Sequence, residues 1–209
     1  MTSISILGSG KMARGIGTRA VAGGNKLQIL DLDAQKAAAL ATELGGAASG
    51  TIGEPLLGDI VVLALPYKAV QPVVEQYGDR LNGKTIVDIT NPIDTATFAG
   101  LVTPLGSSGA QEIAKAAAGA KVVKAFNTTF ASTLEAGEVD GQTLDVFIAG
   151  DDAQAKAAVS EFVDSAGLRP IDVGDLSKAH WLEGLGYLHV GLQLSRGTNF
   201  STGLKLTGA

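Results

Sequence analysis

Eight short apolar runs, most of them separated by segments of helical period, constrain this chain more than any other feature. They are SISILG (3–8), KLQILD (26–31), AASG (47–50), IVVLAL (60–65), TIVDIT (85–90), KVVKAF (121–126), DVFIAG (145–150) and LRPIDVG (168–174). IVVLAL is apolar along its whole length, the mark of a strand buried on both faces of a sheet. Helical patterns cover about 11–23, 33–45, 67–80, 108–118 and 152–166. In the second, Asp33 is placed to cap the helix, and Ala37, Leu40, Ala41 and Leu44 share one face. Strands alternating with helices predict a doubly wound, Rossmann-type α/β fold with a mostly parallel sheet over residues 1–175.

After Gly174 the pattern changes. LSKAHWLEGLGYLHVGLQLSRG (176–197) reads as one long helix, with Trp181, Leu182, Leu185, Leu188, Leu192 and Leu194 spread around much of its circumference. Such a helix is too apolar to stand in water. Residues 176–209 are therefore expected to form a helical extension that packs on the sheet, on a second subunit, or on both. A homodimer is the expected assembly.

Composition removes several classes of function. A net charge of −5 argues against nucleic acid and anionic membranes as partners. With no cysteine and two histidines, no disulfide, thiolate nucleophile or metal centre is expected. The longest strongly apolar run falls far short of the ~20 residues that span a bilayer, and nothing resembles a signal peptide. The expectation is a cytoplasmic protein acting on a small molecule.

The loop between the first strand and first helix is Gly8-Ser9-Gly10-Lys11-Met12-Ala13, a G-x-G-x-x-A sequence. Gly8 permits the tight turn, Gly10 lets the backbone approach a pyrophosphate, and Ala13 lets the helix pack closely on the strand. The phosphates would rest on the free N–H groups of the helix N-terminus. Asp31, ending the second strand, stands where an acid would accept the ribose hydroxyls of NAD and repel the 2′-phosphate of NADP. The site is thus expected to hold NAD or NADP, with Asp31 favouring NAD. Leu32 offers no cation, though Lys36 or Arg14 could partly compensate.

Three further stretches reach the C-terminal ends of strands, where open α/β sheets bind ligands. ALPYKAV (64–70) contributes Leu65, Pro66, Tyr67 and Val70; DITNPID (88–94) contributes Asn91 and Pro92; KAFNT (124–128) contributes Asn127. Each has a plainer reading as a helix start or turn, and their convergence on one edge favours a ligand.

With these motifs assembled, the chain resembles the NADP oxidoreductase, coenzyme F-420-dependent family, and the related cytosolic domain of the STEAP metalloreductases. ILGSGKMARGIG, VVLALPYKAV, TIVDITNPID, GSSGAQEIA, VVKAFNT and DVFIAGDD carry the resemblance, in that order. It implies a Rossmann domain with a small C-terminal portion, commonly a homodimer, exchanging hydride between a nicotinamide and a flavin-like or deazaflavin (F-420) ring. Carried over by motif, the dinucleotide lies on the Gly8–Ala13 loop, the end of strand two, Pro66, Tyr67 and Asn91. The second ring lies near Asn91 and Asn127, which position it. NADP-specific members carry Ser-Arg where this chain has Asp31-Leu32.

Transfer between stacked rings needs alignment and no obligatory side-chain acid, which suits a chain thin in acid–base groups. No Tyr-x-x-x-Lys pair, G-x-S-x-G elbow or phosphate-loop sequence is present. His180 and His189 are expected to have packing or surface roles. If the helical face of His180, Glu183 and Tyr187 looks into the cleft, His180 could instead serve as a proton donor. A reductase of small carbonyls or imines and a non-catalytic dinucleotide sensor stay open as alternatives.

Overall fold

A computed structural model describes residues 1–208. The elements run β1 (Ser3–Leu7), α1 (Lys11–Ala22), β2 (Lys26–Asp31), α2 (Ala34–Glu43), β3 (Ala48–Thr51), β4 (Ile60–Leu63), α3 (Tyr67–Tyr77) and β5 (Thr85–Asp88). They continue with α4 (Gly109–Ala116), β6 (Lys121–Lys124), α5 (Ala131–Ala136), β7 (Glu138–Val139), β8 (Gln142–Thr143), β9 (Asp145–Gly150), α6 (Ala153–Ser165), β10 (Arg169–Gly174) and α7 (Ala179–Arg196). Each of the eight apolar runs contributes a strand to one sheet, in the order β10-β9-β6-β5-β4-β1-β2-β3.

From β3 to β6 every pairing is parallel, and the chain reverses direction in the sheet once. β9 pairs antiparallel with β6, and β10 then runs parallel to β9. The connection from β6 causes this reversal. It contains α5 and the small β7–β8 hairpin, neither of which has an apolar pattern strong enough to predict from sequence. α5 is held against α1 through Gly15, where a Cβ would approach Ala131 O to 2.9 Å. Two cores cover the faces of the sheet. Ile4, Ile6, Ile16, Ile29 and Phe162 belong to one, and Leu7, Val61, Leu63, Val74 and Ile86 to the other.

The C-terminal helix is α7, preceded by a short turn of 3₁₀ helix over Leu176–Lys178. Its polarity is inverted relative to an ordinary surface helix. Glu183, His189 and Gln193 face inward and are buried, whereas Trp181, Leu188, Leu192 and Leu194 face outward, Trp181 with 71% of its surface exposed. Beyond α7 the tail folds back on the domain. Thr202 Oγ1 lies 2.8 Å from His189 Nε2 and accepts a hydrogen bond from Gln193 Nε2 at 2.7 Å. Further on, Asp145 accepts from Lys205 Nζ at 2.7 Å, from Leu206 N at 2.8 Å, and from both Arg169 donors at 2.6 and 2.8 Å.

Burial alone would raise the Asp145 pKa. The hydrogen bonds of Arg169, Lys205 and Leu206 outweigh it and bring the value from 3.8 down to about 2. A depressed carboxylate stabilises the fold above its unfolded-state pKa, and that contribution is lost as pH falls toward the folded value. We expect Asp145→Asn to cost about 2 kcal/mol at neutral pH, the free-energy equivalent of that shift. The gap between the two unfolding curves should close as pH falls from about 4 to about 2. A gap unchanged at pH 2 would exclude this role for the tail clamp.

Candidate dinucleotide-binding cleft

The glycine loop leaves β1 at Gly8, whose N–H donates to Leu30 O at 2.7 Å. Gly8 has φ +111°, and a Cβ there would stand 2.3 Å from Ala64 O. The turn therefore requires glycine for its own construction. Gly10 is different. It is the exposed N-cap of α1 in an extended conformation, and a Cβ there would meet nothing within 4 Å. No packing inside the chain requires a glycine at that position, and its bare backbone leaves room for a ligand to approach closely. No side chain caps α1 and no acidic residue stands in its first turn. Its free N–H groups suit a pyrophosphate. Ala13 is fully buried against the sheet, while Lys11 is exposed and Ser9 and Met12 are partly buried around the loop.

Asp31 faces this loop. Its Oδ2 accepts from Ser9 Oγ at 2.7 Å and its Oδ1 from Asp33 N at 3.0 Å. Partial burial raises its pKa, but the N–H of Asp33, the hydroxyl and N–H of Ser9 and the charge of Lys36 together lower it. Asp31 is thus a preformed anion at the end of β2. It does not cap α2; Asp33 does, accepting from the N–H groups of Gln35 and Lys36. Leu32 is 74% exposed. Arg14 is committed elsewhere, gripping Glu43 of α2 with two donors at 2.7 and 3.0 Å.

The remaining expected residues divide. Pro66 begins α3 as its N-cap, with Leu65 partly exposed behind it and Tyr67 in the first helical turn. Burial first, then the charges of Glu183, Glu112 and Asp88, push the Tyr67 phenol above its usual range, so it stays protonated. Val70 is only 1% exposed, inside the core with Val73 and Val74. The helical turn from Tyr67 carries it inward, behind Tyr67. Pro92 is likewise buried.

Asn91 and Asn127 meet. Asn127 Nδ2 donates to Asn91 Oδ1 at 2.9 Å and to Leu182 O at 2.8 Å, and Asn91 Nδ2 donates to Asn127 O at 2.7 Å. α7 crosses the pair at Gly186, where a Cβ would lie 2.4 Å from Asn91 Oδ1. Between β6 and Asn127 the chain turns through Phe126, fully buried with φ +61°. A left-handed residue other than glycine costs about 1–3 kcal/mol and persists where its surroundings enforce it. Here the Phe162 ring, 5.9 Å away, and two hydrogen bonds from Thr129 to Phe126 O hold it.

Beneath the amides lies a group that sequence reasoning missed. Lys124 Nζ donates to Asp88 Oδ2 at 2.8 Å, Glu183 Oε1 at 2.8 Å and Thr90 O at 2.5 Å, and all three charged side chains are 0% exposed. Burial disfavours the ammonium, yet the two carboxylates outweigh it and the Lys124 pKa is raised. Glu183 also accepts from Gly109 N and Ala110 N at the start of α4, which spreads the excess negative charge. The available signal was a charged residue inside each of two apolar strands, Asp88 in TIVDIT and Lys124 in KVVKAF. His180 Nδ1 lies 3.1 Å from Ser107 O, His189 is buried, and Tyr187 donates to Phe98 O at 2.8 Å. The His180–Glu183–Tyr187 face is thus occupied: His180 and Tyr187 meet the segment between β5 and α4, and Glu183 meets Lys124 and the start of α4.

Residues 3–92 match the family model described as "NADP oxidoreductase coenzyme F420-dependent". An F420-dependent NADP reductase from Methanocaldococcus jannaschii is 31% identical over 155 residues, covering 72% of this chain and 68% of that protein. The chain belongs to this family. Metalloreductase STEAP3 from Rattus norvegicus is 31% identical over 183 residues, 87% of this chain, and the chain spans only 36% of that protein's length. Among solved structures, a putative F420-dependent NADP reductase from Arthrobacter sp. FB24 superposes with a TM-score of 0.89 at 26% identity, each chain covered in full. Family membership makes this chain an NADP-linked oxidoreductase. The relatives' names lend no support to the expected preference for NAD.

The two loop glycines should separate on mutation. Gly10→Ala should leave the melting temperature within about 2 °C of wild type and weaken dinucleotide binding about tenfold or more. Gly8→Ala should destabilise the fold by more than 2 kcal/mol, through positive φ and a backbone clash. Undiminished dinucleotide binding by folded Gly10→Ala would remove the loop from the site.

Proposed function

We propose that this chain moves hydride between NADH or NADPH and a flavin-like or deazaflavin ring seated at the ends of β5 and β6. One observation carries the reading. Of the four buried side-chain polar atoms without a partner among the described residues, three stand there: Thr90 Oγ1, Asn127 Oδ1 and Thr128 Oγ1. Buried polar atoms are nearly always satisfied, so a cluster of open ones marks where a polar ligand or ordered water completes the set. One of the three, Asn127 Oδ1, belongs to the Asn91–Asn127 pair, and the other two stand on residues next to that pair in sequence.

When bound, the reduced dinucleotide supplies the hydride. The Gly8–Ala13 loop binds its phosphates, Asp31 its adenosine ribose, and Leu65, Pro66 and Tyr67 flank its path across the sheet edge. Asn91 and Asn127, locked to each other and to α7, orient the rings. Nearby ionisable groups stay out of the reaction, since Asp88, Lys124 and Glu183 have no solvent access and Tyr67 keeps its proton. The proton that completes reduction of the acceptor comes from water. Alignment of the rings is what this site contributes to rate.

Within this NADP-linked family, Asp31 shifts the balance of this chain toward NADH without excluding NADPH, because its carboxylate opposes a 2′-phosphate and Arg14 is held by Glu43. The outward stripe of α7, with Trp181, Leu188 and Leu192 along one side, forms the interface of a homodimer.

An acceptor panel of F420, FMN, a ferric complex and a cyclic imine, offered with NADH and NADPH, tests the activity. Reduction of F420 or FMN is expected, and turnover of the imine alone would overturn the reading. Asn91→Leu and Asn127→Leu should lower kcat about 10–100-fold with dinucleotide Kd within about twofold. Titration should show tighter NADH binding, reversed by Asp31→Ser with Leu32→Arg; tighter NADPH binding by wild type would refute the selection. Light scattering should give twice the 21.1 kDa chain mass. A monomer at micromolar concentration would exclude the α7 interface.

A further inference from the structure

The charged group and the amide pair form two stacked layers with one spacing. Asp88, Lys124 and Glu183 make the lower layer; three residues beyond each, Asn91, Asn127 and Gly186 make the upper. Each layer joins the same elements, the ends of β5 and β6 and the inner face of α7. The lower layer is closed: Lys124 has spent all three donors, and none of its side chains touches solvent. The upper layer has small tolerances. At Gly186 no Cβ fits above Asn91, and Asn127 spans from Asn91 to Leu182 O.

We infer that Glu183 and Lys124 are positioning residues for the acceptor. Through them a buried ion cluster fixes the height of α7 over the sheet edge, and so the placement of the Asn91 and Asn127 amides. This rests on the site proposed above. α7 offers few alternatives as an anchor. Its outward face is apolar and unattached within the chain, and its inward face is polar. Near Asn91 the inward charged contacts are the Glu183–Lys124 ion pair and the bonds of Glu183 to Gly109 N and Ala110 N; around them lie the small surface of Gly186, the buried Leu182, whose carbonyl accepts from Asn127, and Tyr187, which stacks on Phe98 and donates to its carbonyl. His189 and Gln193 hold the tail two turns further on. Exchanging Glu183 for its amide puts an NH₂ group against Lys124 or against the N–H groups of α4, and no rotation of the amide satisfies both sides. A misplacement of about 1 Å at a reacting centre costs up to about 100-fold in rate.

The test reads the amides directly. In wild type, the side-chain amide protons of Asn127 should exchange slowly with water by NMR, since Asn127 is 4% exposed and both hydrogen bonds are made. Glu183→Gln should speed that exchange about tenfold or more while the backbone amides of the Gly8–Ala13 loop keep their wild-type rates. Gly186→Ala displaces Asn91 without touching the ion cluster and should give the same pattern, so the outcome does not hang on one variant folding. Unchanged Asn127 exchange in both folded variants, or equal acceleration throughout the chain, overturns the inference. Steady-state kinetics with F420 run alongside. Glu183→Gln should lower kcat/KM for F420 about tenfold, with no further loss when added to Asn127→Ala; independent, multiplicative losses would also overturn it. Absence of turnover with any acceptor in wild type counts against the proposed function and leaves the exchange result to decide the positioning role.

Discussion

The functional edge of this molecule depends on one lysine with no access to water. Lys124 sits at the end of β6 between carboxylates of β5 and α7, and its ammonium also holds the carbonyl of Thr90. Taking such a group out of water is costly, and the arrangement survives only because every donor and both carboxylates are satisfied. Removing one partner of a buried pair typically costs about 3–5 kcal/mol, because the other charge is left unpaired. That asymmetry makes the cluster a strong constraint on geometry, whatever it adds to net stability.

Strain and order concentrate on the same edge. Phe126 is held left-handed two residues after Lys124, so the chain leaves the sheet turned toward α7 and delivers Asn127 to Asn91. On the opposite side of the cleft the glycine loop is built for backbone proximity, and Asp31 is fixed by Ser9 and Asp33 before any ribose arrives. Both halves are prepared before binding, which limits the ordering cost that binding would otherwise carry.

Much of this was legible in the chain. Apolar runs such as IVVLAL gave away the strands of the sheet, because burial on both faces leaves no room for polar alternation. GSGKMA and Asp31 could be singled out as a candidate site, because their chemistry depends on local spacing. What escaped was non-local. The reversal at β9 arises from a connection whose α5 is short and docks through Gly15. The motif pointed to Val70, but only the phase of α3 shows that it packs among core residues. The ion cluster draws on positions 88, 124 and 183, far apart in sequence, and only the fold brings them together. Composition marked α7 as apolar and did not show which face turns inward: its charged and polar residues are buried and most of its leucines face out.

The central claim is that this edge aligns two rings for direct transfer, with no side chain carrying the hydrogen. The most direct measurement uses NADH or NADPH deuterated at the transferring C4 position, with a deazaflavin acceptor whose receiving atom is carbon. Mass spectrometry of the reduced acceptor should find the deuterium retained on that carbon, at one atom per turnover. Loss of the label to water would mean that a protein group or solvent intervenes, and would contradict the account.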